Sequence, residues 1–163
     1  NSASTTFIGV VENANHYIVT YLADGSLFRV RQSLKEKKFV VDSMLMNLSS
    51  PDVPQQISAK GKTISPEIHK IIQNEGGDMW IIATDGMNDF NPNKDRAKPE
   101  EFITKFANEI WQAYKENPEK FESVLQNILL RWVKLCQTTD DATVAVLISG
   151  EMKSQWDKLI SLQ

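Results

Sequence analysis

An α+β sandwich of mainly antiparallel sheets, with one sheet held between a second sheet and a layer of helices, follows from how pattern changes along the chain. Alternating strand patterns and tight turns fill the first half. Two amphipathic helices come late, and the His16–Ala23 and Ala142–Ile148 runs are apolar on both faces, as strands covered on both sides must be. Strands and helices do not alternate, so a doubly wound parallel sheet fits less well.

Thr5–Val11 and His16–Ala23 are rich in β-branched and aromatic residues, and Glu12–Asn15 lies between them as a turn, which predicts a pair of antiparallel strands. Asp24-Gly25 is a strong hairpin signal, because both central residues of a type I′ turn need positive φ. The return strand is then Leu27–Arg31, where Arg29 and Arg31 alternate with apolar neighbours and imply one wet face near a sheet edge. Lys35–Lys38 reads as a solvated charged stretch, Phe39–Val41 and Met44–Met46 as further strand or an irregular wall of the core, and Asn47–Thr63 as loop. Pro66–Gln73 fits either a short helix or a strand, and the tight turn Asn74-Glu75-Gly76-Gly77 before the apolar run from Asp78 favours a strand and a hairpin.

Phe102, Ile103, Phe106, Ala107, Ile110, Trp111 and Tyr114 recur at helical spacing, after a Pro99-Glu100-Glu101 start suited to a first turn. Phe121, Val124, Leu125, Ile128, Leu129, Trp132 and Val133 repeat the pattern, with Asn117 as N-cap and Pro118 at the first helical position. Both stripes are core faces. Ala142–Ile148 is the last strand, and Met152–Leu162 reads as a short terminal helix.

The chain has 163 residues, 41% of them hydrophobic, enough for a single domain spanning 1–163 that buries about two thirds of its unfolded surface. A formal charge of −3 offers no basic footprint for nucleic acid, and no apolar run approaches the roughly 18 residues of a membrane span. Cys136 is the sole cysteine and cannot close a disulfide within the chain, which points to a reducing, cytoplasmic setting. With only His16 and His69 present, any metal must be a hard cation held by oxygens.

Oxygen ligands are available. Asp24 follows Leu22-Ala23, Asp85 and Asp89 follow Ile81-Ile82-Ala83, and Asp140-Asp141 directly precede the Ala142 strand. If those strands are neighbours, the carboxylates meet at one rim. Such a cluster is repulsive unless divalent cations neutralise it. Two Mg²⁺ or Mn²⁺ ions about 4 Å apart can lower the pKa of a water between them and aim it at phosphorus.

Ala23-Asp24-Gly25-Ser26, Asp85-Gly86-Met87-Asn88-Asp89 after an apolar strand, and Thr139-Asp140-Asp141-Ala142-Thr143 before the last one, in this chain order with a helix pair between the last two, resemble the later motifs of the protein phosphatase 2C family of metal-dependent serine/threonine phosphatases. The resemblance runs from Ser4 to about Ile148. It implies a four-layer α/β/β/α sandwich with metals in a cleft at one end of the sheets. It further implies that Asp85 bridges a metal pair, that Asp140 is a ligand of the same pair, and that Asp24 and Asp89 hold a third, weaker metal together with Asp85. The implied activity is hydrolysis of phosphoserine and phosphothreonine in protein substrates, in signalling.

The sequence departs from that pattern in two ways. Ala-Asp-Gly-Ser stands where many members have Gly-Asp-Ser, and Asp141 takes the place of a common Asn, which leaves open which of Asp140 and Asp141 binds metal. The family's early segment, with its phosphate-binding Arg, its Glu-Asp ligand and its Asp-Gly-His-Gly-Gly motif, has no counterpart here. The expectation is therefore the C-terminal portion of such a domain, inactive until its N-terminal segment is supplied. Two alternatives remain open. One is a catalytically dead, phosphatase-like binding module. The other is an N-terminal-nucleophile hydrolase, which Thr5-Thr6-Phe7-Ile8-Gly9-Val10 resembles at a processed start, although that chemistry needs a free Thr amine and Asn1–Ser4 precede Thr5.

Overall fold

A computed structural model describes the chain at residues 4–5, 7–22, 25–33, 38–46, 57–58, 68–74, 77–84, 86–87 and 99–149. Nine strands and two helices lie within these residues. The strands are β1 (Ser4–Thr5), β2 (Phe7–Glu12), β3 (His16–Leu22), β4 (Ser26–Ser33), β5 (Lys38–Met46), β6 (Ile57–Ser58), β7 (Ile68–Gln73), β8 (Asp78–Ala83) and β9 (Val144–Ile148). The helices are α1 (Pro99–Glu116) and α2 (Phe121–Cys136), joined by a 3₁₀ turn over Pro118–Lys120. Every described pairing is antiparallel, in sheets ordered β1-β6, β2-β3-β7 and β5-β4-β8-β9.

The four-stranded sheet is the middle layer. One of its faces carries Phe28, Val30, Met79, Ile81 and Ala83 into a core with Ile103, Phe106, Ile110 and Trp111 of α1 and Ile128 and Trp132 of α2. Its other face carries Leu27 and Trp80 against Tyr17 and Val19 of the three-stranded sheet, with Ile8, Val10 and Ile72 packed around them. β8 lies between β4 and β9 and serves both cores, which is why Met79, Trp80 and Ile81 are all buried. The predicted α+β arrangement, a sheet between a sheet and a helix layer, is the observed one. The outer face of the three-stranded sheet is different. Val11, Ile18 and Ile71 stand in one row across it, and Val11 and Ile71 are exposed, as is Phe7 on the same face.

The helices form as their apolar spacing predicts. Asn117 caps the 3₁₀ turn through its side-chain oxygen, which accepts from the Lys120 amide at 3.2 Å, so the expected cap acts one turn before α2 proper begins. Between the helices, Trp132 donates its indole N–H to Glu109 at 2.9 Å, and Glu109 also pairs with Arg131.

Three expectations are corrected. Asp24-Gly25 does not close a hairpin: β3 belongs to the three-stranded sheet and β4 to the four-stranded one, and the chain crosses between them here. Gly25 has φ 148°, and a Cβ on it would lie 2.5 Å from Ile8 Cδ1 of one sheet and 3.0 Å from the Ala83 carbonyl of the other. The residue that looked like a turn former is thus a spacer between layers. Pro66–Gln73 does hold a strand, but β7 pairs with β3 and not with β8. β4 is no edge strand; it lies between β5 and β8. Arg29 and Arg31 face the other sheet, where Asp78 receives both at 2.7 and 3.2 Å, so the alternation that suggested a wet face is a buried ion cluster. Phe39–Val41 and Met44–Met46, open at the sequence level, both lie in β5, at the edge of the described sheet. Most of Asn47–Thr63 and all of Met152–Leu162 lie outside the described residues.

Candidate metal centre

Antiparallel strands bring alternate chain ends together, and here the register does so at one rim. Ser26 pairs with Ala83, and Ala83 with Val144, so the first residue of β4, the last of β8 and the first of β9 form one row. The residues just beyond that row are Gly25, Thr84 and Thr143. Gly25 and Thr143 belong to acidic motifs, and Thr84 directly precedes the third.

The β8 and β9 ends are tied together most closely. The Thr84 amide donates to the Thr143 carbonyl at 3.0 Å, the Thr143 amide donates to Thr84 Oγ1 at 3.0 Å, and that hydroxyl donates to the Asp141 carbonyl at 3.2 Å. Gly86 is buried against the same loop; a Cβ there would run into the Asp141 carbonyl oxygen. The Met87 amide returns to the Thr84 carbonyl at 3.2 Å, and the Met87 side chain is buried in the helix-side core. Consequently Thr84, Gly86 and Met87, the described residues on either side of Asp85 in sequence, are anchored on one side by the core and on the other by the loop of Asp140 and Asp141. Gly25, next to Asp24, closes on the Ala83 carbonyl from the third side.

Asp140 is exposed, and its Oδ1 accepts the Asp141 amide at 2.8 Å, which orients the carboxylate at the mouth of the loop. Asp141 is exposed beside it. Asp24, Asp85 and Asp89 lie outside the described residues. Among the described residues, no three His, Cys, Asp or Glu side chains come together as a metal site. What the structure brings together is therefore the backbone framework of the Asp24, Asp85 and Asp140 motifs. Among the described residues the acids at this rim are Asp140 and Asp141, oxygen donors of the kind a hard cation takes. His16, at the start of β3, pairs with Gln73 at the opposite end of the sheets from Leu22 and the crossing at Gly25.

Sequence reasoning overlooked Thr84. The available signal was its position directly between an apolar strand and an acid, where a hydroxyl can replace a strand's last backbone acceptor. The cluster of Arg29, Arg31 and Asp78 was also missed, because each partner's sequence neighbourhood reads as an ordinary strand.

The sequence matches no family model and no curated protein. The structure is similar to the catalytic domain of the serine/threonine protein phosphatase PstP, solved in complex with two manganese ions, with a TM-score of 0.54 at 14% identity over 90% of this chain. A Mycobacterium tuberculosis PstP/Ppp serine/threonine phosphatase structure aligns over 88% of this chain at 16% identity with a TM-score of 0.49. In each case the chain spans 59% of the solved structure's length. At the level of fold, the likeness to the first structure bears out the resemblance to the protein phosphatase 2C family.

Proposed function

We propose that this chain is the C-terminal portion of a protein phosphatase 2C-type domain that hydrolyses phosphoserine and phosphothreonine in proteins with Mn²⁺ or Mg²⁺. The observation that carries this reading is the row Ser26–Ala83–Val144, which supports a single rim for the three acidic motifs. In this reading Asp85 and Asp140, or its neighbour Asp141, would hold a pair of divalent cations, and Asp24 and Asp89 would hold a weaker one together with Asp85. When bound, the cations supply Lewis acidity, lowering the pKa of a water directed at phosphorus. The chain's own contribution is positional: Gly25 and Gly86 allow three backbones to approach closely, and the Asp141 amide orients the Asp140 carboxylate.

Part of the site lies beyond this chain. A phosphate-binding Arg and an early Asp-Gly-His motif are expected from an N-terminal segment of the same domain, which we take to be a partner of this chain. The exposed row of Val11 and Ile71 with Phe7 beside it supports a missing layer over the three-stranded sheet.

The test is turnover of p-nitrophenyl phosphate with Mn²⁺, by this chain alone and with the N-terminal segment joined to it. Little activity alone and chelator-sensitive activity when joined is the expected result. Robust, chelator-sensitive turnover by the chain alone would remove the need for the segment. A joined protein that neither turns over substrate nor binds Mn²⁺ in calorimetry would favour the binding module instead.

A further inference from the structure

Thr84 is where β8 leaves its sheet, and the way it leaves is unusual. One residue past the Ala83–Val144 pair, Thr84 faces Thr143, and ladder geometry calls for an exchange of two backbone hydrogen bonds. Only one is made backbone to backbone, from the Thr84 amide to the Thr143 carbonyl. In the other, the Thr84 hydroxyl stands in for its own carbonyl and accepts the Thr143 amide at 3.0 Å. The carbonyl so released takes the Met87 amide. The hydroxyl's single proton goes to the Asp141 carbonyl at 3.2 Å. One side chain therefore lets the chain turn away from the sheet a residue early without orphaning Thr143, and ties that turn to the loop of Asp140 and Asp141.

We infer that Thr84 is a positioning residue for divalent cation binding: its hydroxyl sets the distance between the turn bearing Asp85 and the loop bearing Asp140. This rests on the phosphatase reading, which supplies the ligand roles of those aspartates. A group with one donor and one acceptor function is required, so Ser can replace Thr and Val cannot, although Val matches its shape. Because Thr84 is exposed, water can take up the hydrogen bonds lost in Thr84→Val, and the fold survives while the two loops lose their fixed spacing. Gly86 is the other half of the junction, since a Cβ there presses on the Asp141 carbonyl.

The experiment is a titration of the isotope-labelled chain with MnCl₂, followed by paramagnetic broadening of the backbone amide signals of Thr84, Gly86 and residues 140–143, with thermal midpoints recorded in parallel. Wild type and Thr84→Ser are expected to broaden over the same Mn²⁺ range. Thr84→Val is expected to need about 10- to 100-fold more Mn²⁺, the usual cost of removing a group that orients a metal ligand. Gly86→Ala, which keeps every donor and acceptor of Thr84, is expected to weaken binding as well. Equal Mn²⁺ ranges for wild type and Thr84→Val, or a Ser variant as weak as the Val variant, overturn the inference and leave the phosphatase reading standing. No broadening in wild type at any concentration, alone or joined to its N-terminal segment, overturns both.

Discussion

Asp78 is fully buried between the two sheets, and both of its oxygens are engaged, Oδ2 with Arg29 and Oδ1 with Arg31. Arg29 also donates to the Gln73 carbonyl at 3.0 Å and lies over the rings of Tyr17 and Trp80 at 5.8 and 5.6 Å. Replacing one partner of such a cluster strands a buried charge, so Asp78→Ala is expected to lower stability by about 3–5 kcal/mol in urea unfolding. The paired change Arg29→Met with Asp78→Leu removes the two buried charges, leaving only the partly exposed Arg31, and is expected to recover most of that loss. Tyr17 beside them is pushed up to about 12, chiefly by burial, with the Asp78 and Glu12 carboxylates adding to the rise. Its ordinary value is 10.0, so between these two pH values the unfolded chain ionises while the folded one stays neutral. The stability this contributes is complete below pH 10.0 and is lost as pH rises toward 12. Urea midpoints measured across that window are expected to fall less steeply for Tyr17→Phe than for wild type.

The elements differ in how far a local pattern decides them. α1 and α2 are legible because a stripe at helical spacing determines both the element and its buried face, as Ile103, Phe106, Ile110 and Trp111 do. The β2–β3 hairpin is legible because its turn is short and its strands pair with each other. Asp24-Gly25 misleads because an Asp-Gly pair sets local φ and cannot say which sheet the next strand joins. β7 misleads similarly: nearness to β8 in sequence suggested a hairpin, yet its partner β3 lies much earlier in the chain. At the end of α2, Gln137 adopts a left-handed conformation with φ 54° and donates its amide to Val133 and Lys134 carbonyls. A side chain is disfavoured there and glycine is not, so Gln137→Gly is expected to stabilise the protein by about 0.5–1 kcal/mol, read as a higher thermal midpoint.

For the molecule as a whole, the layered α+β plan could be read from the sequence because two-sided apolar strands demand cover on both sides. The position of the acids at strand ends was equally readable, but whether those strand ends meet was not. Convergence depends on register between strands from distant parts of the chain, and no local pattern encodes it. The structure supplies that register for the motifs of Asp24, Asp85 and Asp140 through Ser26, Ala83 and Val144, while Asp24, Asp85 and Asp89 themselves lie outside the described residues. The resemblance to a phosphatase family rested on motif order, which a low-identity likeness of fold then matched.

That same row of three residues has a bearing on how the protein folds. β4, β8 and β9 come from well-separated parts of the sequence, so the rim is assembled by long loop closures, the slow kind, while the β2–β3 hairpin and the helix pair need only short ones. Until the last closure, the acidic motifs are dispersed along a partly ordered chain. Under the proposed reading, cation affinity would belong to the finished fold, and a folding chain would not be trapped by the ion.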